Sequence, residues 1–89
     1  MQQVENIFKQ FSNSPITGID KLPQAGSDRQ YYRIKTEGNC YIATVGKNIK
    51  ENETFIYFSR VFTKLRLTTP QVYAVSEDQS TYIQQDFGT

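Results

Sequence analysis

The chain has no histidine, no tryptophan and one cysteine, Cys40. Without histidine, Ser-His-Asp and Cys-His nucleophile pairs within this chain are excluded, as is zinc held by imidazole. A single cysteine makes no internal disulfide and no CxxC site. Cys40 reads as a small hydrophobe buried in a strand, the common fate of a free thiol. Charge of either sign is scarce in excess: ten Lys and Arg against nine Asp and Glu leave +1. That balance argues against a nucleic-acid binder working by bulk charge and against a polybasic membrane surface. No apolar run approaches the roughly 20 residues of a membrane span. The start, MQQVENIFKQF, lacks the basic-then-apolar pattern of a secretory leader. The expectation is a cytoplasmic chain with no membrane and no nucleic-acid partner.

What is present makes one small domain: 89 residues, 37% hydrophobic, enough for a thin core. Val4, Ile7, Phe8 and Phe11 fall at i, i+3, i+4 and i+7, so the first segment is a helix with one apolar stripe. Ser12-Asn13-Ser14-Pro15 stops it, and the stripe marks an accessory helix that must pack on a larger body. Residues 16–23 are strand-like, punctuated by Gly18 and Pro23. Gln24-Ala25-Gly26-Ser27-Asp28 is a turn of small and polar residues. Residues 29–36 carry the β-favouring Tyr31, Tyr32, Ile34 and Thr36. Glu37-Gly38-Asn39 is a hairpin turn, and Cys40-Tyr41-Ile42-Ala43-Thr44-Val45 is the next strand. Residues 18–45 therefore form a three-stranded antiparallel meander.

Asn48 followed by Glu51 resembles a capping box. The helix after it runs from Ile49 or Lys50 to Arg66, with Phe55, Phe58, Val61, Phe62 and Leu65 as its core-facing side. Lys64 and Arg66 in the last turn suit the helix dipole. Thr68-Thr69-Pro70 ends the helix. Residues 71–75 and 80–85 are strands four and five, either side of the turn Ser76-Glu77-Asp78-Gln79. The order α-β-β-β-α-β-β predicts an α+β fold. Its five-stranded antiparallel sheet has one helix between strands three and four and an accessory N-terminal helix.

This order, the glycine turn between strands one and two, and the words AGSDRQYYRI, ENETFIYFSRVF, TPQVYAVSED and YIQQDFGT point to one group. Together they resemble the N-terminal lobe of the aminoglycoside phosphotransferase and choline kinase family, near its bacterial amino-sugar kinase branch. The resemblance spans residues 4–88. It implies a kinase-like small lobe, with ATP beneath the sheet and against a mostly helical C-terminal lobe. On that reading residues 1–89 are a single ATP-binding domain ending at the interlobe hinge. The catalytic Asp, the Mg²⁺ ligands and the acceptor pocket would belong to the C-terminal lobe. This chain is then expected to hold no catalytic residue and no metal site, and to be inactive alone. The parent would move the γ-phosphoryl of ATP to a hydroxyl of a sugar, amino sugar or similar small polar acceptor. A non-catalytic binding module of the same fold is the alternative.

The resemblance assigns a nucleotide-binding role to Ala25, Gly26, Ser27, Asp28 and Arg29. Backbone N–H groups of such a turn can face an anion, and Gly26 permits close approach. From the residues alone, the same stretch is an ordinary hairpin turn. Lys47 or Lys50 could reach phosphate from beyond strand three, and Gln84, Gln85, Asp86 and Phe87 would make the hinge contacts to adenine. Asp86-Phe87-Gly88 also spells the metal-binding motif of protein kinases. It follows a strand, however, and no His-Arg-Asp loop precedes it, so the resemblance makes it the hinge.

Strand three departs from the pattern. Kinase-like lobes carry Lys or Arg there to hold the α- and β-phosphates, and that place falls near the neutral Thr44. Glu51 and Glu53 both stand as the helix glutamate that would pair with such a cation. Arg29, Tyr31, Arg33 and Lys35 share one face of strand two, opposite Tyr32 and Ile34. A basic row with an aromatic raises a single-stranded RNA platform, but the RNP1 pattern and the βαββαβ order are absent.

Overall fold

Helix α1 (Gln2–Phe11) forms where the first apolar stripe places it, and Val4, Ile7 and Phe8 are buried. The computed structural model describes residues 2–23, 29–66 and 70–86. Strands β1 (Ile16–Lys21), β2 (Gln30–Thr36) and β3 (Asn39–Val45) follow, then helix α2 (Ile49–Lys64), β4 (Val72–Val75) and β5 (Thr81–Gln85). The strands lie in one sheet in the order β1-β2-β3-β5-β4, every neighbour antiparallel. This is the α+β arrangement that the sequence predicts, with α2 between β3 and β4. Gly38, at φ +95°, makes the β2–β3 turn, a backbone region that favours glycine.

The main core lies between α1 and one face of the sheet, where Val4, Ile7 and Phe8 meet Tyr32, Ile34, Ala43 and Ile83. Half-buried rings extend it. Phe8 lies 5.3 Å from Tyr41 between centroids, and Phe11 stacks on Tyr73 at 4.9 Å. The Gln3 side chain donates to the buried Thr81 hydroxyl, pinning the helix to β5. The apolar stripe of the N-terminal helix thus packs on the sheet, as its spacing predicts.

Helix α2 starts as its sequence dictates. The Asn48 side chain accepts from the Glu51 N–H at 3.0 Å, satisfying one of the donors a helix start leaves open. It ends earlier than Arg66, which adopts a left-handed φ of 61° after the cap Leu65. Its rotation departs further from expectation. The residues turned inward are Asn52, Ile56 and Ser59. Of the stripe assigned to the core, Phe55 stacks on Tyr82 at 5.4 Å, whereas Phe58 is 48% exposed, Phe62 39% and Leu65 63%. Hydrogen bonding explains the rotation. Asn52 bonds to three other segments, and the Ser59 hydroxyl donates to the Pro70 carbonyl. Burying the phenylalanines instead would strand those polar groups, at about 1–3 kcal/mol each.

Cys40 also departs from the buried position expected of it. It lies in β3 but is exposed, opposite Lys35 at the hairpin end of the sheet. Neither described helix is long and apolar enough to cross a membrane.

Candidate functional site

The sheet has two unlike faces. Alternation sends Tyr32, Ile34, Ala43 and Ile83 toward α1, and their neighbours the other way. On that second face Tyr31, Thr44 and Tyr82 form one cross-strand row, and Arg33, Ile42 and Gln84 the next. Helix α2 meets the first row through the Phe55–Tyr82 stack.

Asn52 organises the end of this face beside the start of α2. It is fully buried. Its Nδ2 donates to the Gly46 carbonyl at 3.0 Å and the Gln79 carbonyl at 2.8 Å, and its Oδ1 accepts from Arg29 Nη2 at 2.9 Å. One side chain therefore joins the exit of β3, the β4–β5 turn and the residue before β2. The turn is shaped to suit. The Asp78 carboxylate accepts from the Ser80 N–H at 3.0 Å and from the hydroxyls of Ser76 and Ser80. Those bonds, the Ser80 N–H foremost, hold the Asp78 carboxyl below the usual range. Gln79 beside it takes a left-handed φ of 63°, and its carbonyl is the one Asn52 reaches. Gly46 leaves the space this needs. A Cβ there would meet Asn52 Oδ1 at 3.1 Å and Arg29 Cγ at 3.2 Å.

Arg29 is the cation of the cluster. Its Nε lies 3.5 Å from Glu51 Oε1, and its side chain is only 15% exposed. Of the two candidate helix glutamates, Glu51 thus makes the contact. Glu53 lies in the groove between α2 and the β4–β5 turn, with Tyr57 and Arg60. Arg29, which immediately precedes β2, acts electrostatically on Tyr82 in the row Tyr31–Thr44–Tyr82.

Tyr82 lies within the field of this cluster. Burial pushes its phenol above the ordinary value, partly offset by the Arg29 charge and the Thr44 hydroxyl. The folded pKa exceeds the unfolded one, so the associated stability is intact below the ordinary tyrosine value of about 10 and is lost as pH rises through the folded value. In a tyrosinate absorbance titration, Tyr82 is expected to ionise above the ordinary tyrosine value, as a last step that accompanies unfolding. Tyr82→Phe should remove that last step.

The other residues named from sequence are dispersed. Ala25, Gly26, Ser27, Asp28 and Phe87 lie outside the described residues. Lys47 is exposed in the turn just before Asn48, and Lys50 is exposed in the first turn of α2. Gln84 shares the second face with Arg33. Alternation puts Gln85 on the α1 face, where its Oε1 accepts from the Gln71 N–H at 3.3 Å. Asp86 accepts from Arg33 Nε at 2.9 Å, with its own side chain only 6% exposed. The basic row on β2 is consequently neutralised within the fold: Arg33 by Asp86, Arg29 by Glu51, and Lys35 by Asp20 at 2.7 Å.

Asn52 and Gly46 are the residues of this cluster that sequence reasoning misses. A polar residue inside a helix looks solvated, and a lone glycine after a strand looks like a turn; neither carries a periodic signal. Among the described residues no group of three or more potential metal ligands occurs. No family model matches this chain, and no curated protein matches it.

Proposed function

We propose that this chain is the ATP-binding small lobe of a cytoplasmic phosphotransferase whose acceptor is a hydroxyl of a sugar, amino sugar or similar small polar molecule. The observation that carries the reading is the Arg29–Glu51 pair, locked by Asn52 at the start of α2. A phosphate clamp needs a cation held in place by a helix carboxylate, so that no reorganisation is required when phosphate arrives. Arg29 meets that need from just before β2, and the neutral Thr44 is then no obstacle. Lys47, Lys50 and the N-terminal end of α2 add positive potential on the same side. These residues fit the triphosphate of ATP. Gln84 and Asp86 stand further along the same face, where adenine would lie. Mg²⁺ would be held by carboxylates of a C-terminal lobe, and catalysis would rest on positioning and charge stabilisation.

Amide shifts on ATP titration test this reading. Half a site, with one wall, is expected to bind no tighter than about a millimolar, roughly −4 kcal/mol. Shifts should concentrate at Arg29, residues 47–51 and Gln84. Arg29→Met should abolish those at residues 47–51, and Arg29→Lys should retain part of them. Shifts confined to Tyr31, Arg33 and Lys35, and larger with RNA oligomers than with ATP, would contradict the reading.

A further inference from the structure

We propose that the free edge of β4 pairs with the β4 of a second copy of this chain, antiparallel about a two-fold axis between Tyr73 and Ala74. The sheet ends in β1 on one side and β4 on the other, and the two edges are unlike. β1 carries Gly18, Asp20 and Lys21, a glycine and charges of the kind that blunt an edge. β4 is Val72-Tyr73-Ala74-Val75, without charge, proline or glycine, and all four residues are half-buried. The hairpin fixes which backbone groups look outward. The Ser76 N–H bonds to the Thr81 carbonyl on β5, so alternation turns the Val75 N–H and carbonyl to the outer side. A strand laid along that side can pair with them. The register irregularity between Val72 and Ala74 turns Tyr73 onto Phe11 of α1 and leaves Val72 and Val75 facing α2.

The flank of α2 above that edge selects the occupant. Two grooves run between α2 and the β4 side, and Arg60 lines both. Glu53 and Tyr57 stand at the Val75 end, and Lys64 at the Val72 end. The flank therefore runs from base to acid along the direction of β4. Among the described residues Glu53, Arg60 and Lys64 make no ion pair. A second copy entering antiparallel along β4 brings the same flank reversed, with the two α2 helices side by side on one face of the joined sheet. Glu53 then faces the partner's Lys64, and Tyr57 faces the partner's Arg60, a cation over an aromatic ring. A parallel copy would set like charges against each other. Phe58, Phe62 and Leu65 line neither groove and take no part. Because the contact is isologous, it closes at two copies. A four-residue edge and one helix flank bury less than a standard interface, so a dissociation constant on the order of 0.1 mM is expected. This surface is independent of the nucleotide reading.

Sedimentation equilibrium of the 89-residue chain tests the proposal against a monomer mass of 10.3 kDa. A reversible dimer of twice that mass is expected. Hydrogen exchange of the Val75 amide should slow about fivefold between dilute and millimolar protein as the edge is covered. Val75→Pro removes the outer N–H and spares the Ser76 bond to Thr81, and should weaken the dimer about tenfold or more. The charge variants give the same answer without touching the strand. Glu53→Lys and Lys64→Glu should each weaken the dimer about tenfold, and an equimolar mixture of the two should restore it as a heterodimer. Phe58→Ala should leave it unchanged. A wild-type chain that stays monomeric at millimolar concentration would overturn the proposal. So would a dimer whose Val75 amide exchanges as fast as in the monomer, a dimer that Phe58→Ala abolishes, or a charge-reversed mixture no tighter than either variant alone.

Discussion

Asn52→Leu is expected to destabilise the fold by about 3 kcal/mol, out of proportion to a change that keeps the side-chain volume nearly constant. The native amide is fully buried and spends both of its ends, accepting from Arg29 and donating to the carbonyls of Gly46 and Gln79. Leucine would leave a largely buried guanidinium short of an acceptor and two carbonyls short of a donor. Asn52→Asp should also be destabilising, for a different reason. It keeps an acceptor for Arg29 but sets a second oxygen against two carbonyl oxygens. In urea denaturation both variants should lower the midpoint with little change in the m-value. A loss below about 1 kcal/mol for Asn52→Leu would mean that the three segments are not joined through this residue.

Phe8→Ala should cost about 4 kcal/mol, whereas Phe58→Ala, measured at low micromolar protein, should cost no more than about 0.5 kcal/mol. Both residues sit on apolar stripes at helical spacing, and spacing alone assigns both to the core. Phe8 is fully buried and packs its ring against Phe11 and Tyr41. Removing it leaves a cavity in the main core of a domain whose total stability is on the order of 5–15 kcal/mol. The Phe58 ring is nearly half in solvent. Equal losses for the two variants would contradict the rotation of α2 described above.

That contrast marks what the sequence makes legible. The α1 stripe is readable because the residues between its apolar positions have no strong claim on the interior; only Gln3 reaches in, and it does so from the edge of the stripe. The cap of α2 is readable because Asn48 and its donor lie three residues apart. The strands are readable from β-favouring runs and turn residues, and the boundaries shift by only a residue or two. The rotation of α2 is not readable, because its determinants are distant. Arg29 and Gln79 stand 23 and 27 residues from Asn52. The pairing of Arg33 with Asp86 spans 53 residues. Periodicity counts apolar residues and is blind to such hydrogen bonds. The candidate site was visible in its components, Arg29, Lys47, Glu51, Gln84 and Asp86. Its organisation is not legible, because the contacts of Arg29 with Asn52 and Glu51 join positions more than 20 residues apart.

The most direct test of the proposed triphosphate site is paramagnetic broadening of backbone amides by Mn²⁺·ATP, with Mn²⁺ alone as the control. Broadening is expected first at Arg29 and residues 47–51, then at Gln84, and should be reversed by excess Mg²⁺·ATP and lost in Arg29→Met. Broadening centred on the Asp78 turn, or the same pattern with Mn²⁺ alone, would contradict a triphosphate held by Arg29 beside α2.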